Sequence, residues 1–141
     1  MDPTFENGQY LIIDELSYRF SEPERGEVIV FRYPKNPKEF FIKRIIGLPG
    51  ETVEIRDGVI SIWKSGKKQT LNESYVVNKG NGSDMTTTLG DDEYFVMGDN
   101  RPESSDSRVW GVLPREDITG HVFLRLLPFN SVGVRPGAVS L

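Results

Sequence analysis

The chain has 141 residues, enough for one domain built around a single core. Its 17 lysines and arginines against 21 aspartates and glutamates leave a formal charge of -4, which provides no global positive field for gripping phosphate backbones and argues against nucleic acid as a partner. Cysteine is absent and His121 is the single histidine, so disulfides, thiol catalysis, thiolate metal sites and multi-histidine zinc sites are excluded together.

In chain order, YLIID, EVIVFRY, EFFIKRII, TVEI, VISIW, YFVM and HVFLRLL read as strands, because each is short, rich in β-branched or aromatic residues and bounded by Gly, Pro, Asp or Asn. Arg56-Asp57-Gly58-Val59 reads as a hairpin turn, since Asp-Gly readily supplies the positive φ of a tight connection. From Lys64 to Asp92 the pattern loosens into SGKK, NKGNGSD and TTTLGDD, which predicts an irregular excursion forming a small cap or flap. The expected organisation is one domain over 1–141, with a core over about 1–56 and 92–141 and a cap-like insertion over about 57–91. No long segment keeps helical spacing, and no apolar run approaches the roughly 18 residues of a membrane span. The basic runs at Arg32–Lys38 and Lys64–Lys68 read as solvated turns, and His121, inside an apolar strand, reads as structural.

Two clusters carry chemistry. In EFFIKRIIGLPGE, extended geometry puts Phe41, Lys43 and Ile45 on one face and Phe40, Ile42, Arg44 and Ile46 on the other. Lys43 then lies between bulky apolar neighbours, where desolvation disfavours its ammonium and makes it a candidate base near neutral pH. The segment alone favours a plainer reading, an edge-strand lysine that snorkels into water. In GDNRPESSDSR, charges, hydroxyls and glycine crowd directly behind the strand YFVM. If this stretch is extended, Ser104, Asp106 and Arg108 point to one side, with Asp106 and Arg108 placed to pair; a polar loop with a surface ion pair is the alternative.

Taken in order, the segments resemble bacterial type I signal peptidases over nearly the whole chain. MDPTFENGQYLIID is similar to the family's segment that begins at the methionine after its serine, RGEVIVFRYP to the following strand, KRIIGLPGETVEI to the lysine box, and GDNRPESSDSRVWGVLP to the last box. The resemblance implies a mostly β fold of coiled antiparallel sheets with a small cap insertion. It also implies a Ser/Lys endopeptidase that removes signal peptides from exported preproteins at Ala-x-Ala-like sites and needs no metal or organic cofactor. Lys43 corresponds to the general base, Ser104 to the hydroxyl that orients it, Asp106 and Arg108 to a supporting pair, and Asp99 and Arg44 to a second bridge. Met1, Phe5, Phe41 and Ile42 correspond to positions lining small apolar pockets for the substrate. Lysine at position 43 places the chain with bacterial members, since the relatives of the endoplasmic reticulum carry histidine there.

The same resemblance places the nucleophilic serine immediately before Met1 and a transmembrane anchor further upstream. The implied setting is the extracytoplasmic face of the bacterial cytoplasmic membrane, with the membrane surface and signal peptides as partners, and the 141 residues alone are expected to be inactive. Phe5 for leucine, Asn7-Gly8-Gln9 around the usual Gly-Asp and Glu27 for aspartate depart from the pattern without removing a reacting group. The short span between the lysine and serine-aspartate boxes resembles the compact enzymes of Gram-positive bacteria. Two other readings are a self-cleaving repressor-type Ser/Lys peptidase and a non-catalytic β module that binds extended peptides.

Overall fold

The computed structural model describes the backbone of residues 10–14, 22–74, 76, 83–127 and 133–134, with side chains over 22–74, 76 and 83–121. Its elements are β1 (Tyr10–Asp14), β2 (Val28–Tyr33), β3 (Asn36–Gly47), β4 (Thr52–Arg56), β5 (Val59–Lys64), β6 (Lys67–Thr70), β7 (Met85–Thr88), β8 (Glu93–Met97), the short helix α1 (Ser107–Trp110), β9 (Leu113–Pro114), β10 (Ile118–Leu127) and β11 (Gly133–Val134). The described strands form two antiparallel sheets. The larger runs β1-β10-β2-β3-β8-β9 with β11 beside β10, and the smaller runs β6-β5-β4-β7.

Each of the seven segments expected to be extended is a strand, and the chain is mostly β. The Asp-Gly signal also holds: Asp57 and Gly58 take φ of 51° and 77°, turning β4 back onto β5 in continuous register from Arg56↔Val59 to Thr52↔Trp63.

The stretch expected to be irregular contains β6 and β7. A second tight turn, with Ser65 and Gly66 at φ of 53° and 78°, folds β6 onto β5. All four side chains of β6 are exposed, and β7 alternates only between exposed and half-buried threonines and Met85, so neither strand carries the apolar alternation that would announce it. β4, assigned from sequence to the core, pairs with β5 and β7 and so belongs to the smaller sheet.

The C-terminal third of β3, Arg44 to Gly47, and most of β8 organise the interior because both of their faces are buried. Ile45, Tyr94 and Val96 join Ile29, Phe31, Trp110, Leu113 and Ile118 in one cluster. Ile46, Phe95 and Met97 point the other way, against Val53, Ile55, Ile60, Ile62, Leu71 and Leu89 of the smaller sheet and its connections. This explains why YFVM is a continuous apolar run rather than an alternating one. At Gly47, where the β3–β8 register slips, an added Cβ would lie 2.5 Å from Val53 Cγ2, so the close approach of the two sheets requires glycine. Among the described residues no helix is long and apolar enough to cross a membrane.

Candidate active site

Lys43 lies on β3 directly across from Ile29 of β2, in a register that runs from Val28↔Arg44 to Arg32↔Phe40. Phe41 and Ile45, two residues away on either side, share its face. Its Nζ reaches 3.0 Å from Ser104 Oγ and 5.8 Å from the centre of the Phe41 ring. Burial pushes the Lys43 ammonium below the ordinary lysine value; Asp106 opposes that shift, Arg108 adds to it, and Asp99 opposes it more weakly. Desolvation outweighs the carboxylates because both are engaged by arginines.

Ser104 is held by the chain leaving β8, and its neighbours correct the extended geometry expected of GDNRPESSDSR. Arg101–Glu103 form a 3-10 turn, Ser104 and Asp106 are extended, and helix α1 begins at Ser107, so Arg108 is helical. Asp106 and Arg108 pair nevertheless, through a helix cap. Asp106 Oδ1 accepts the Arg108 backbone N–H at 3.1 Å and Arg108 Nε at 2.8 Å, while Oδ2 accepts Arg108 Nη2 at 2.8 Å. Oδ2 also accepts the Gly98 N–H at 3.0 Å, tying the end of β8 to the start of α1. Ser107 Oγ accepts the Val96 N–H at 3.0 Å, closing the same loop one step deeper.

Behind Lys43, Arg44 and Asp99 form a bidentate pair, Nε to Oδ1 at 3.0 Å and Nη2 to Oδ2 at 2.8 Å, with both side chains 0 % exposed. Arg44 Nη1 also donates to the Gly26 carbonyl at 2.9 Å, so the guanidinium is matched on more than one side. Glu51 is a third buried anchor: its carboxylate accepts Arg25 at 2.6 and 2.7 Å and the Leu48 N–H at 2.8 Å, fixing the turn after Gly47.

Phe41 and Ile42 are both half-buried and flank Lys43, but on opposite faces of β3, with Ile42 opposite Val30. Phe41 stacks on Tyr33 with ring centres 4.5 Å apart and meets Phe31 and Trp110 edge-on. Met1 and Phe5, the other two pocket candidates, lie outside the described residues. β3 pairs with β8 from Arg44 to Gly47, and among the described residues no strand lies on that side of Phe40 to Lys43. His121 is buried, with Nδ1 3.1 Å from Glu27 Oε2.

Gly98, Glu51, Glu73, Arg101 and Ser107 are site residues not singled out from sequence. Gly98 and Glu51 lie inside the quoted boxes, and the density of charge around them was a usable signal. Glu73 bonds to Arg101 across 28 residues, and nothing local to LNESY announces that contact.

The family described as signal peptidase, peptidase S26, matches residues 1–127. A probable signal peptidase I-2 of Synechocystis sp. is 41% identical over 139 residues, covering 95% of this chain and 62% of that protein. A signal peptidase I of Leptolyngbya laminosa is 39% identical over 140 residues, covering 94% and 67%. The chain therefore spans about two thirds or less of the length of these relatives. A solved signal peptidase I from Enterococcus faecalis superposes with a TM-score of 0.61 at 36% identity, covering 72% of this chain and 97% of that one. With the four boxes in order, two antiparallel sheets of the same kind and a family match over nearly all its length, the chain belongs to the signal peptidase, peptidase S26, family.

Proposed function

We propose that this chain is the catalytic part of a signal peptidase I that acts by a Ser/Lys mechanism, with Lys43 as general base and a serine preceding Met1 as nucleophile. The observation that carries the reading is the 3.0 Å contact between Lys43 Nζ and Ser104 Oγ in a place where burial favours the neutral amine. A lysine that merely snorkelled would keep its ammonium in water.

In this reading the substrate lies extended along the open edge of β3 beside Phe40 to Lys43, adding a strand as peptides commonly do at sheet edges. The serine oxygen attacks the scissile carbonyl carbon while its proton passes to neutral Lys43. The C–N bond then breaks, the leaving amine takes that proton, and an acyl-enzyme remains. Lys43 next takes a proton from water, whose oxygen attacks the ester, and the serine leaves reprotonated. Ser104 fixes the rotamer of the amine throughout. Asp106 with Arg108 holds the loop that carries Ser104 and Asp99 with Arg44 ties that loop to β3, while Phe41 and Ile42 flank small side chains of an Ala-x-Ala site. The working location is the extracytoplasmic membrane face, where preproteins emerge with their signal peptides still attached.

The protein carrying its upstream segment should cleave an Ala-x-Ala reporter, lose that activity when the serine before Met1 becomes alanine, and retain its fold. The 141 residues alone should be inactive. Cleavage by the 141-residue chain that disappears with Ser104→Ala would instead make Ser104 the nucleophile and overturn the assignment.

A further inference from the structure

Glu73 stands outside the boxes that build the site, on the segment that follows β6 in the smaller sheet. Its side chain is 2 % exposed, as is that of its partner Arg101. Arg101 Nη1 donates to Glu73 Oε1 at 3.1 Å and Nη2 donates to Oε2, a bidentate grip. Taking two charges out of water is costly unless the geometry is good and the remaining donors are matched. Here they are: Arg101 Nε donates to the Gly98 carbonyl at 2.8 Å, and the Arg101 carbonyl accepts Arg108 Nη2 at 2.7 Å. Arg101 thus clamps the turn that starts at Gly98 and delivers Ser104, and Glu73 holds the clamp.

We infer that Glu73 is a positioning residue for the Lys43–Ser104 pair: acting through Arg101, its carboxylate sets the turn from Gly98 to Ser104 at the height where the hydroxyl meets the amine. This rests on the reading of Lys43 as the base. It also gives the smaller sheet a part in the chemistry, since the segment bearing Glu73 leaves that sheet through Leu71, whose N–H is bonded to the Ile60 carbonyl at 3.0 Å.

The test uses the protein with its upstream serine, measuring kcat and KM for an Ala-x-Ala peptide across pH and the titration of the Lys43 amine by NMR in the same protein. Glu73→Gln should lower kcat by about tenfold or more while KM stays within about twofold. It should also move the acid limb of kcat and the Lys43 midpoint upward together. The loosened turn admits water around the amine, while Asp106, Asp99 and Arg108, which face it, remain in place. Glu73→Asp, which keeps the charge but falls short, should lie between wild type and Gln, and Arg101→Lys should follow the Gln variant. Should Glu73→Gln fail to fold, the Asp and Lys variants carry the same comparison. Variants that lose thermal stability but keep the wild-type acid limb and Lys43 midpoint would reduce Glu73 to a tie between the sheets and overturn the inference. If the wild-type protein does not cleave, the functional reading falls by itself. The Lys43 midpoint then decides alone: a shift in Glu73→Gln supports positioning, and none refutes it.

Discussion

Gly98 lies directly against Ser104, so that a Cβ added at Gly98 would sit 2.1 Å from Ser104 Oγ, 2.6 Å from Ser104 Cβ and 3.4 Å from Lys43 Nζ. No rotamer change at Ser104 removes the clash with its own Cβ; the backbone of one segment must move. Gly98→Ala should therefore displace Ser104, destabilise the fold by about 1–3 kcal/mol as overpacking does, and reduce peptide cleavage at least as much as Ser104→Ala. Gly90→Ala is the control, because the atoms it would meet are the end of the Glu93 side chain on an exposed turn, and it should leave both properties near wild type. Thermal unfolding and reporter cleavage of the two variants check this.

The depressed titration of Lys43 predicts two pH dependences. Activity of the serine-bearing protein should rise with pH along an acid limb lying below the ordinary lysine value, because only the neutral amine is a base. Lys43→Arg, which cannot deprotonate, should lower the rate by about 10²–10⁴-fold or more while the fold survives. Stability should follow the same group. Between the folded and unfolded pKa values the unfolded chain holds a proton that the folded chain has lost, so stability contributed at Lys43 increases with pH across that window and is least below it. Compared with Lys43→Met, wild type should therefore gain stability as pH rises toward the ordinary lysine range. Paired unfolding curves at several pH values give the sign directly.

Asp99→Asn should be among the most damaging single changes behind the site. It removes the charge from the bidentate partner of Arg44, whose side chain is 0 % exposed. A buried pair broken on one side typically costs about 3–5 kcal/mol. The pair between Arg56 and Glu54 on the smaller sheet is the contrast. Arg56 is largely exposed, solvent screens the interaction, and Glu54→Gln should produce no resolvable loss of stability. Chemical denaturation of both variants separates the two cases.

Strands were legible wherever burial repeats on a strand period or covers both faces, as in TVEI through β4 and YFVM through β8. β6 and β7 were not, because a strand that only extends an existing sheet edge needs no buried face of its own. Within the site, apolar neighbours made Lys43 a candidate base while the segment alone favoured a snorkelling lysine, and the family resemblance decided between the two. The pairing of Asp106 with Arg108 was also foreseen, but through the wrong backbone: an Asp just before a one-turn helix is a capping signal too short to show as periodicity. The bridge from Arg44 to Asp99 came only through the family resemblance, while the partners of Arg101 and Arg25 lie 28 and 26 residues away. No local pattern names such partners, since what selects them is the need of a buried guanidinium for a carboxylate wherever the fold supplies one.

The place of β1 in the larger sheet sets when that sheet can be completed. Among the described strands β1 has β10 as its neighbour, and β10 in turn joins β2, so the first strand reaches the sheet through one drawn from near the end of the chain. A polypeptide threaded out N-terminus first leaves β1 without a seat until residues 118–127 have followed. Under the proposed Ser/Lys reading, a serine upstream of β1 would gain its seat beside Lys43 only at that point. The order of strands thus makes the seating of the first strand one of the last events in the folding of a chain made from its N-terminus.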